Sequence, residues 1–172
     1  LIRLDTGIKV HNTPFGTSGT ALGLSFEQAK RVILGWSQYK WIEFRGIHNH
    51  AASQNTDISS WKANMRALEK FIISLPQQIP LNMLNLGGGY PIQYINATTL
   101  SVHKIFSQAI KPSLKNILKR FPDLQLIIEP GRFLAGPAGF LAATVTNLQP
   151  SKGTNGAVVN ASLFSTFADR FL

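Results

Sequence analysis

Met83-Leu84-Asn85-Leu86-Gly87-Gly88-Gly89-Tyr90-Pro91 is an apolar run of strand length that stops in three consecutive glycines. Two other stretches share this plan. Residues 41–48 lead into Gly46-Ile47-His48-Asn49-His50-Ala51-Ala52-Ser53-Gln54, and residues 124–129 lead into Ile127-Ile128-Glu129-Pro130-Gly131-Arg132. Each apolar run reads as a buried strand. Each ends in groups that carry chemistry: imidazole and hydroxyl, bare backbone amides, carboxylate and guanidinium. Together they suit a flat ligand that bears a negative charge and a basic ring nitrogen.

Helical patterns separate these strands. Ser25 with Gln28 three residues on is a capping box, and it opens a helix with Phe26, Ala29, Val32, Ile33 and Trp36 on one face. Trp61, Met65, Leu68 and Ile72 form the stripe of a second helix, which ends before Pro76. Val102, Ile105, Phe106, Ala109, Ile110, Leu114, Ile117 and Leu118 mark a third, bent or interrupted at Pro112. Ile2-Arg3-Leu4 is the end of a short strand, and residues 5–23 form a loop of the length class that is usually functional.

Strands at 2–4, 41–48, 81–86 and 124–129, spaced by single helices, imply right-handed crossovers and a parallel sheet. Functional groups at the carboxyl end of every strand suit a barrel. An open sheet would gather them at one switch point. The expected fold is therefore α/β, with residues 1–137 forming half of a (β/α)8 TIM-type barrel. After Arg132 the pattern changes: 140–148 reads as a β segment, 150–156 as a turn-rich loop and 157–160 as another strand, with no helix between. Residues 138–172 are predicted to begin a β-domain.

The 172 residues are 44% hydrophobic and 15% charged, which predicts a globular protein with a core. No stretch approaches the ~18 apolar residues of a membrane helix, and no signal sequence opens the chain, so the expected location is cytoplasmic. The chain starts at Leu1 without Met, already inside a strand, and is expected to be a piece of a longer protein. Without cysteine, disulfides and zinc thiolate sites are excluded within it. A net charge of +9 raises the question of nucleic acid or an acidic membrane surface. Yet Lys104, Lys111, Lys115, Lys119 and Arg120 lie at mixed spacing along one helix, and the other basic residues are scattered. With no Lys/Arg run and no recognition motif, neither partner is expected.

Residue by residue, alternatives remain. His48 and His50 point to the same side of an extended strand, and HxH at a strand end is also how a metal-dependent hydrolase barrel begins its site. Such a site needs further ligands, and the only other histidines are His11, in the long loop, and His103, on a helix. Gly87-Gly88-Gly89 reads either as a plain turn or as three amides converging on phosphate oxygens. Glu129, at the end of an apolar strand, either pairs with Arg132 or faces the ring nitrogen of a cofactor.

The three stretches resemble the motifs of the fold-type III pyridoxal-phosphate decarboxylases, the family of ornithine, arginine and diaminopimelate decarboxylases. Residues 46–54 are similar to the pattern GxHxHxGSQ, with Ala52 in place of its last glycine; residues 84–91 resemble the second motif and 127–132 the EPGR motif. A family lysine often precedes Phe-Gly where Pro14 stands here. The resemblance runs from residue 1 to about 148 and more weakly to Asp169. It implies the second half of an alanine-racemase-like barrel plus the start of the C-terminal β-domain. It also implies pyridoxal 5'-phosphate as cofactor, with His50 stacked on the ring and Ser53, Gly87, Gly88, Gly89, Gly131 and Arg132 at the phosphate. Glu129 would lie at the ring nitrogen, with Arg3 nearby and no metal. The lysine that anchors the cofactor is implied before residue 1, and the catalytic cysteine and a tyrosine after 172, partly from the other subunit of a head-to-tail homodimer. The implied activity is decarboxylation of a basic amino acid: ornithine, arginine, lysine or meso-diaminopimelate. A non-catalytic regulatory relative of the same fold is the alternative.

Overall fold

Ser25 opens the first helix, α1 (Phe26–Leu34), as its capping box predicts. Its hydroxyl accepts the Gln28 N–H at 3.3 Å, and the Gln28 side chain accepts the Ser25 N–H at 3.0 Å. The computed structural model describes residues 1–10, 22–93, 100–151 and 154–162. His11, Pro14 and Asp169 lie outside the described residues, as does most of the predicted long loop. The chain divides into two compact units, Leu1–Pro137 and Ala138–Leu172.

In the first unit four strands, β1 (Ile2–Leu4), β2 (Gly46–Asn49), β3 (Met83–Asn85) and β4 (Gln125–Ile127), form one parallel sheet in the order β1-β2-β3-β4. Each strand adds on the same side as the last, so the order never reverses and no switch point exists. That is the winding of a barrel arc and not of a doubly wound sheet. The register aligns Arg3 with His48, His48 with Asn85 and Asn85 with Ile127. By the two-residue alternation of strands these four share one face. Leu4, Ile47 and Leu84 lie on the other and are fully buried.

That second face meets the helices. In α2 (Ile58–Ser74) Trp61, Met65, Leu68 and Ile72 are all buried, the stripe that the sequence predicts. Phe26 of α1 stacks on Phe71 at 4.8 Å, and Tyr90 stacks on both Trp61 (5.3 Å) and Phe106 (5.9 Å). The segment after β3 is therefore rooted in the core between α2 and the next helical run.

That run consists of α3 (Val102–Ile105), a wide π turn (Phe106–Ile110) and α4 (Lys111–Arg120). The interruption falls before Pro112, at the head of α4. Proline donates no N–H, and its ring crowds the carbonyl four residues back, so the ladder widens one turn earlier.

Several predicted bounds are corrected. The strand expected over 41–48 starts only at Gly46; Trp41 is 88% and Ile42 63% exposed, and Phe44 alone turns into the core. Pairing stops where the Arg45 carbonyl accepts both the Asn82 and the Met83 N–H at 3.0 Å. β3 and β4 are likewise shorter than their apolar runs. A short helix missed in the sequence, α5 (Gly131–Ala135), follows the Pro130 turn. In the second unit β5 (Val145–Ser151) and β6 (Thr154–Val159) pair antiparallel, with a shift in register between Val145 and Asn147. The loop expected over 150–156 is largely paired, Pro150 opposite Asn155 and Gln149 opposite Gly156. A two-stranded ribbon has only edges, where proline is tolerated.

Asp57 caps α2 by accepting the Ser59 N–H at 2.8 Å and the Ser60 N–H at 3.2 Å, and the Ser59 hydroxyl donates to it at 2.7 Å. These bonds, the Ser59 hydroxyl's first, hold its carboxyl below the ordinary 3.8. Asp57→Ala should destabilise the folded protein by about 1 kcal/mol in chemical denaturation near neutral pH. Because the folded value is depressed, this contribution is present above 3.8 and fades as pH falls through the lower folded value. The gap between the two proteins should close there.

Candidate functional site

The carboxyl ends of β2, β3 and β4 are drawn together by the glycine run. Gly87 and Gly89 adopt φ of +65° and +88°, conformations that side chains rarely take. A Cβ on Gly87 would collide with the Asn49 carbonyl, one on Gly88 with the Glu129 carbonyl and one on Gly89 with the Ala52 carbonyl. Three neighbouring backbones thus lie against a stretch with no side chains. Ala52, where the resembling motif carries glycine, is the residue whose carbonyl packs on Gly89.

Three amides of the glycine motifs donate within the chain. The Gly87 N–H donates to Asn85 Oδ1 at 2.8 Å, the Gly88 N–H to His50 Nδ1 at 3.1 Å and the Gly131 N–H to the Glu129 carbonyl at 2.8 Å. Those three amides have partners within the chain. The Gly89 N–H has no hydrogen-bond acceptor among the described residues. Close approach of neighbouring backbone requires glycine at 87 and 88.

His50 is oriented by one of these bonds. Because Nδ1 accepts the Gly88 N–H, the proton of the neutral ring sits on Nε2. Burial, and after it the nearby Arg3 charge, lowers its pKa from 6.5. His48 is lowered from 6.5 as well, first by burial and then by Arg3, although Glu129 pulls the other way. Its Nε2 lies 3.9 Å from Glu129 Oε2. At neutral pH this contact is between a neutral ring and a carboxylate, not an ion pair.

Around the two histidines stand Arg3, Asn85 and Glu129. The Arg3 Nη2 approaches the His50 carbonyl at 3.5 Å, and the buried Arg3 Nε and His48 Nε2 have no hydrogen-bond partner among the described residues. Asn85 Nδ2 donates to Glu129 Oε1 at 2.7 Å. Arg132 is half-buried in the first turn of α5, and Ser53 is half-buried where its Cα would stand 3.4 Å from a Cβ on Gly89. Among the described residues no three His, Cys, Asp or Glu side chains gather as a metal site, and none of their helices is long and apolar enough to cross a membrane.

Two further residues shape the site and were not read from the sequence. Gln54, at φ +54°, donates to the Tyr90 carbonyl at 3.2 Å and accepts the Ile92 N–H at 3.1 Å, clamping the segment after the glycines. Asn85, 6% exposed, bridges Glu129 and Gly87. Its signal was present as a lone amide in an apolar strand, in phase with His48 on the neighbouring one.

A parallel α/β arc whose strand ends present imidazole, carboxylate, guanidinium and glycine backbone defines a cofactor-binding barrel half. Residues 1–136 match the family model described as pyridoxal-dependent decarboxylase, pyridoxal binding domain, and the chain belongs to that family. It is 26% identical over 162 residues to diaminopimelate decarboxylase of Methanocaldococcus jannaschii and 27% identical over 169 residues to that of Haemophilus influenzae. These alignments cover 94% of the chain but only 35% and 39% of the relatives. The crystal structure of M. jannaschii diaminopimelate decarboxylase in complex with L-lysine superposes with a TM-score of 0.72 at 26% identity, over 94% of this chain and 38% of that one. The Helicobacter pylori enzyme complexed with L-lysine superposes at 0.73 with 24% identity, over 94% of this chain and 40% of that one, which shows the shared fold.

The geometry around His50 gives a direct test. In the full-length protein without cofactor, the His50 ring should titrate below 6.5 in nitrogen-detected NMR, with Nδ1 unprotonated at neutral pH. Because the folded value is lowered, acidification below 6.5 should favour the unfolded chain as pH drops toward that value. A ring protonated on both nitrogens at pH 7 would contradict the assignment.

Proposed function

We propose that this chain supplies the cofactor-binding half of a pyridoxal-phosphate-dependent amino-acid decarboxylase. The observation that carries the reading is Glu129: a carboxylate held at 2.7 Å by Asn85, beside a neutral His48 and across the strand ends from the oriented His50 ring. The residues present fit the cofactor. A flat neutral imidazole offers a stacking face, and a carboxylate suits a protonated pyridine nitrogen. Arg3 Nε and His48 Nε2 are buried polar atoms with no hydrogen-bond partner among the described residues, on the face that carries Glu129.

In this reading the His50 ring packs on the cofactor ring and Glu129 keeps the ring nitrogen protonated. Ser53, the Gly89 amide and Arg132 hold the phosphate, while Gly87, Gly88 and Gly131 give the backbone its shape. Burial, and after it the positive charge of Arg3, disfavours protonation of the two histidines. Bound pyridoxal phosphate supplies an electron sink for the bond that releases carbon dioxide. The chain's part is to orient the ring, hold one proton at its nitrogen and fix the phosphate.

Residues 1–137 form the pyridoxal-binding barrel half, and 138–172 begin a β-domain. The substrate is a basic amino acid among ornithine, arginine, lysine and meso-diaminopimelate; the names of the relatives favour the last. A head-to-tail homodimer and a cytoplasmic location belong to the same reading and come with the family.

The test uses the full-length protein. It should bind pyridoxal phosphate, read by absorbance, and release carbon dioxide from at least one of the four amino acids. Glu129→Gln should retain much of the cofactor affinity and lower turnover by on the order of 100-fold, because a charge aimed at the transition state is lost. Unchanged turnover in that variant would remove Glu129 from the chemistry.

A further inference from the structure

Asn85, Gly87 and Glu129 close a ring of hydrogen bonds. Asn85 Oδ1 accepts the Gly87 N–H at 2.8 Å, the Gly87 carbonyl accepts the Glu129 N–H at 2.8 Å, and Glu129 Oε1 accepts from Asn85 Nδ2 at 2.7 Å. Only one orientation of the Asn85 amide makes both of its bonds, so each fixes the other. The ring spans β3, the glycine turn and the end of β4. It ties the backbone of the turn to the direction of a side chain that is otherwise 52% exposed.

We propose that Asn85 is the positioning residue for Glu129: it holds the carboxylate at the cofactor's ring nitrogen and so sets how firmly that nitrogen keeps its proton. The inference rests on the assignment of Glu129 given above. The chemistry selects a primary amide. The position must donate to a carboxylate and accept a backbone N–H at once, from a side chain with little contact with water. An aspartate accepts at both ends and donates at neither while ionised. An aliphatic side chain leaves the Gly87 N–H unsatisfied and Glu129 free to turn toward solvent. The two nearby imidazoles do not substitute, because His48 is neutral and 3.9 Å away and the Nδ1 of His50 is engaged by Gly88.

The experiment loads the full-length protein with pyridoxal phosphate labelled with nitrogen-15 in the ring and follows the ring-nitrogen resonance against pH. Four proteins form a cycle: wild type, Asn85→Ala, Glu129→Ala and the double variant. Asn85→Ala should weaken proton retention about tenfold, a midpoint lower by about one pH unit, in keeping with the loss of a hydrogen bond to a charged group. In the Glu129→Ala background the same substitution should change nothing further, since its route is gone. Equal shifts in both backgrounds, or no shift in Asn85→Ala, would overturn the proposal. If Glu129→Ala itself leaves the midpoint unmoved, the Glu129 assignment fails instead, and the two failures are distinguishable. Asn85→Asp keeps the acceptor for Gly87 and loses the donor to Glu129, so it guards against misfolding of the alanine variant. It should move the midpoint from the wild-type value while cofactor affinity stays within about twofold, and a wild-type midpoint in that variant would overturn the proposal.

Discussion

Close packing of the Gly87–Gly89 backbone against the carbonyls of Asn49, Ala52 and Glu129 is the constraint on which the rest of the site depends. A side chain at any of the three positions would drive two strand ends apart. With none there, β2 and β4 close around the end of β3, and residues far apart in the chain come within bonding distance. The Gly88–His50 bond and the Asn85–Glu129 bond both follow from that approach. The parallel row of Arg3, His48 and Asn85 comes from the sheet register, which delivers all three to one face.

The electrostatics follow from the packing. Two histidines and an arginine share a partly buried face with one carboxylate. Burial discourages protonation of both rings, and the Arg3 charge adds to it. Arg3 stays charged, since a guanidinium is not deprotonated in proteins, and the histidines give way. The chain's net charge of +9 lies elsewhere, much of it along α4, and does not define this site.

The sequence made the alternation of strands and helices legible, along with His50, Ser53, Glu129, Arg132 and the glycines at strand ends, because each follows an apolar run. The start of α1 was legible for a local reason: its cap bonds three residues away. Strand lengths were overestimated at 41–48 because apolar character marks burial potential and not pairing, and pairing ends at the Arg45 carbonyl. The π turn before Pro112 was placed to within a few residues, since proline acts one turn upstream. What stayed hidden was which donor meets which acceptor. Gly87 and Gly131 find their acceptors two residues away, but that depends on how the turn folds, and Gly88 finds its acceptor 38 residues away. Gln54 is hidden for a similar reason, because its clamp and its positive φ exist only once Tyr90 and Ile92 are in place.

Primary amides recur at the ends of the sheet, where they take up backbone groups that the strand ladders leave behind. Asn49 Nδ2 caps the Leu4 carbonyl at 3.2 Å, and its oxygen accepts from Asn64 of α2 at 2.7 Å, whose own oxygen accepts from Thr6 at 2.6 Å. On the opposite face Asn85 takes the Gly87 N–H, and beyond β2 Gln54 takes the Ile92 N–H. Backbone groups orphaned where a ladder stops must be paired when buried. Amides do so with both a donor and an acceptor and without charge, whereas histidine, glutamate or arginine in the same role would lose the lone pair or proton that binding needs. Two ionisable side chains accept a backbone N–H at these strand ends: Asp5 takes the Gly7 N–H at 2.9 Å, and His50 takes the Gly88 N–H through Nδ1. The flat face of the ring and the Nε2 proton are untouched by that bond, which is the arrangement a stacked aromatic ligand requires.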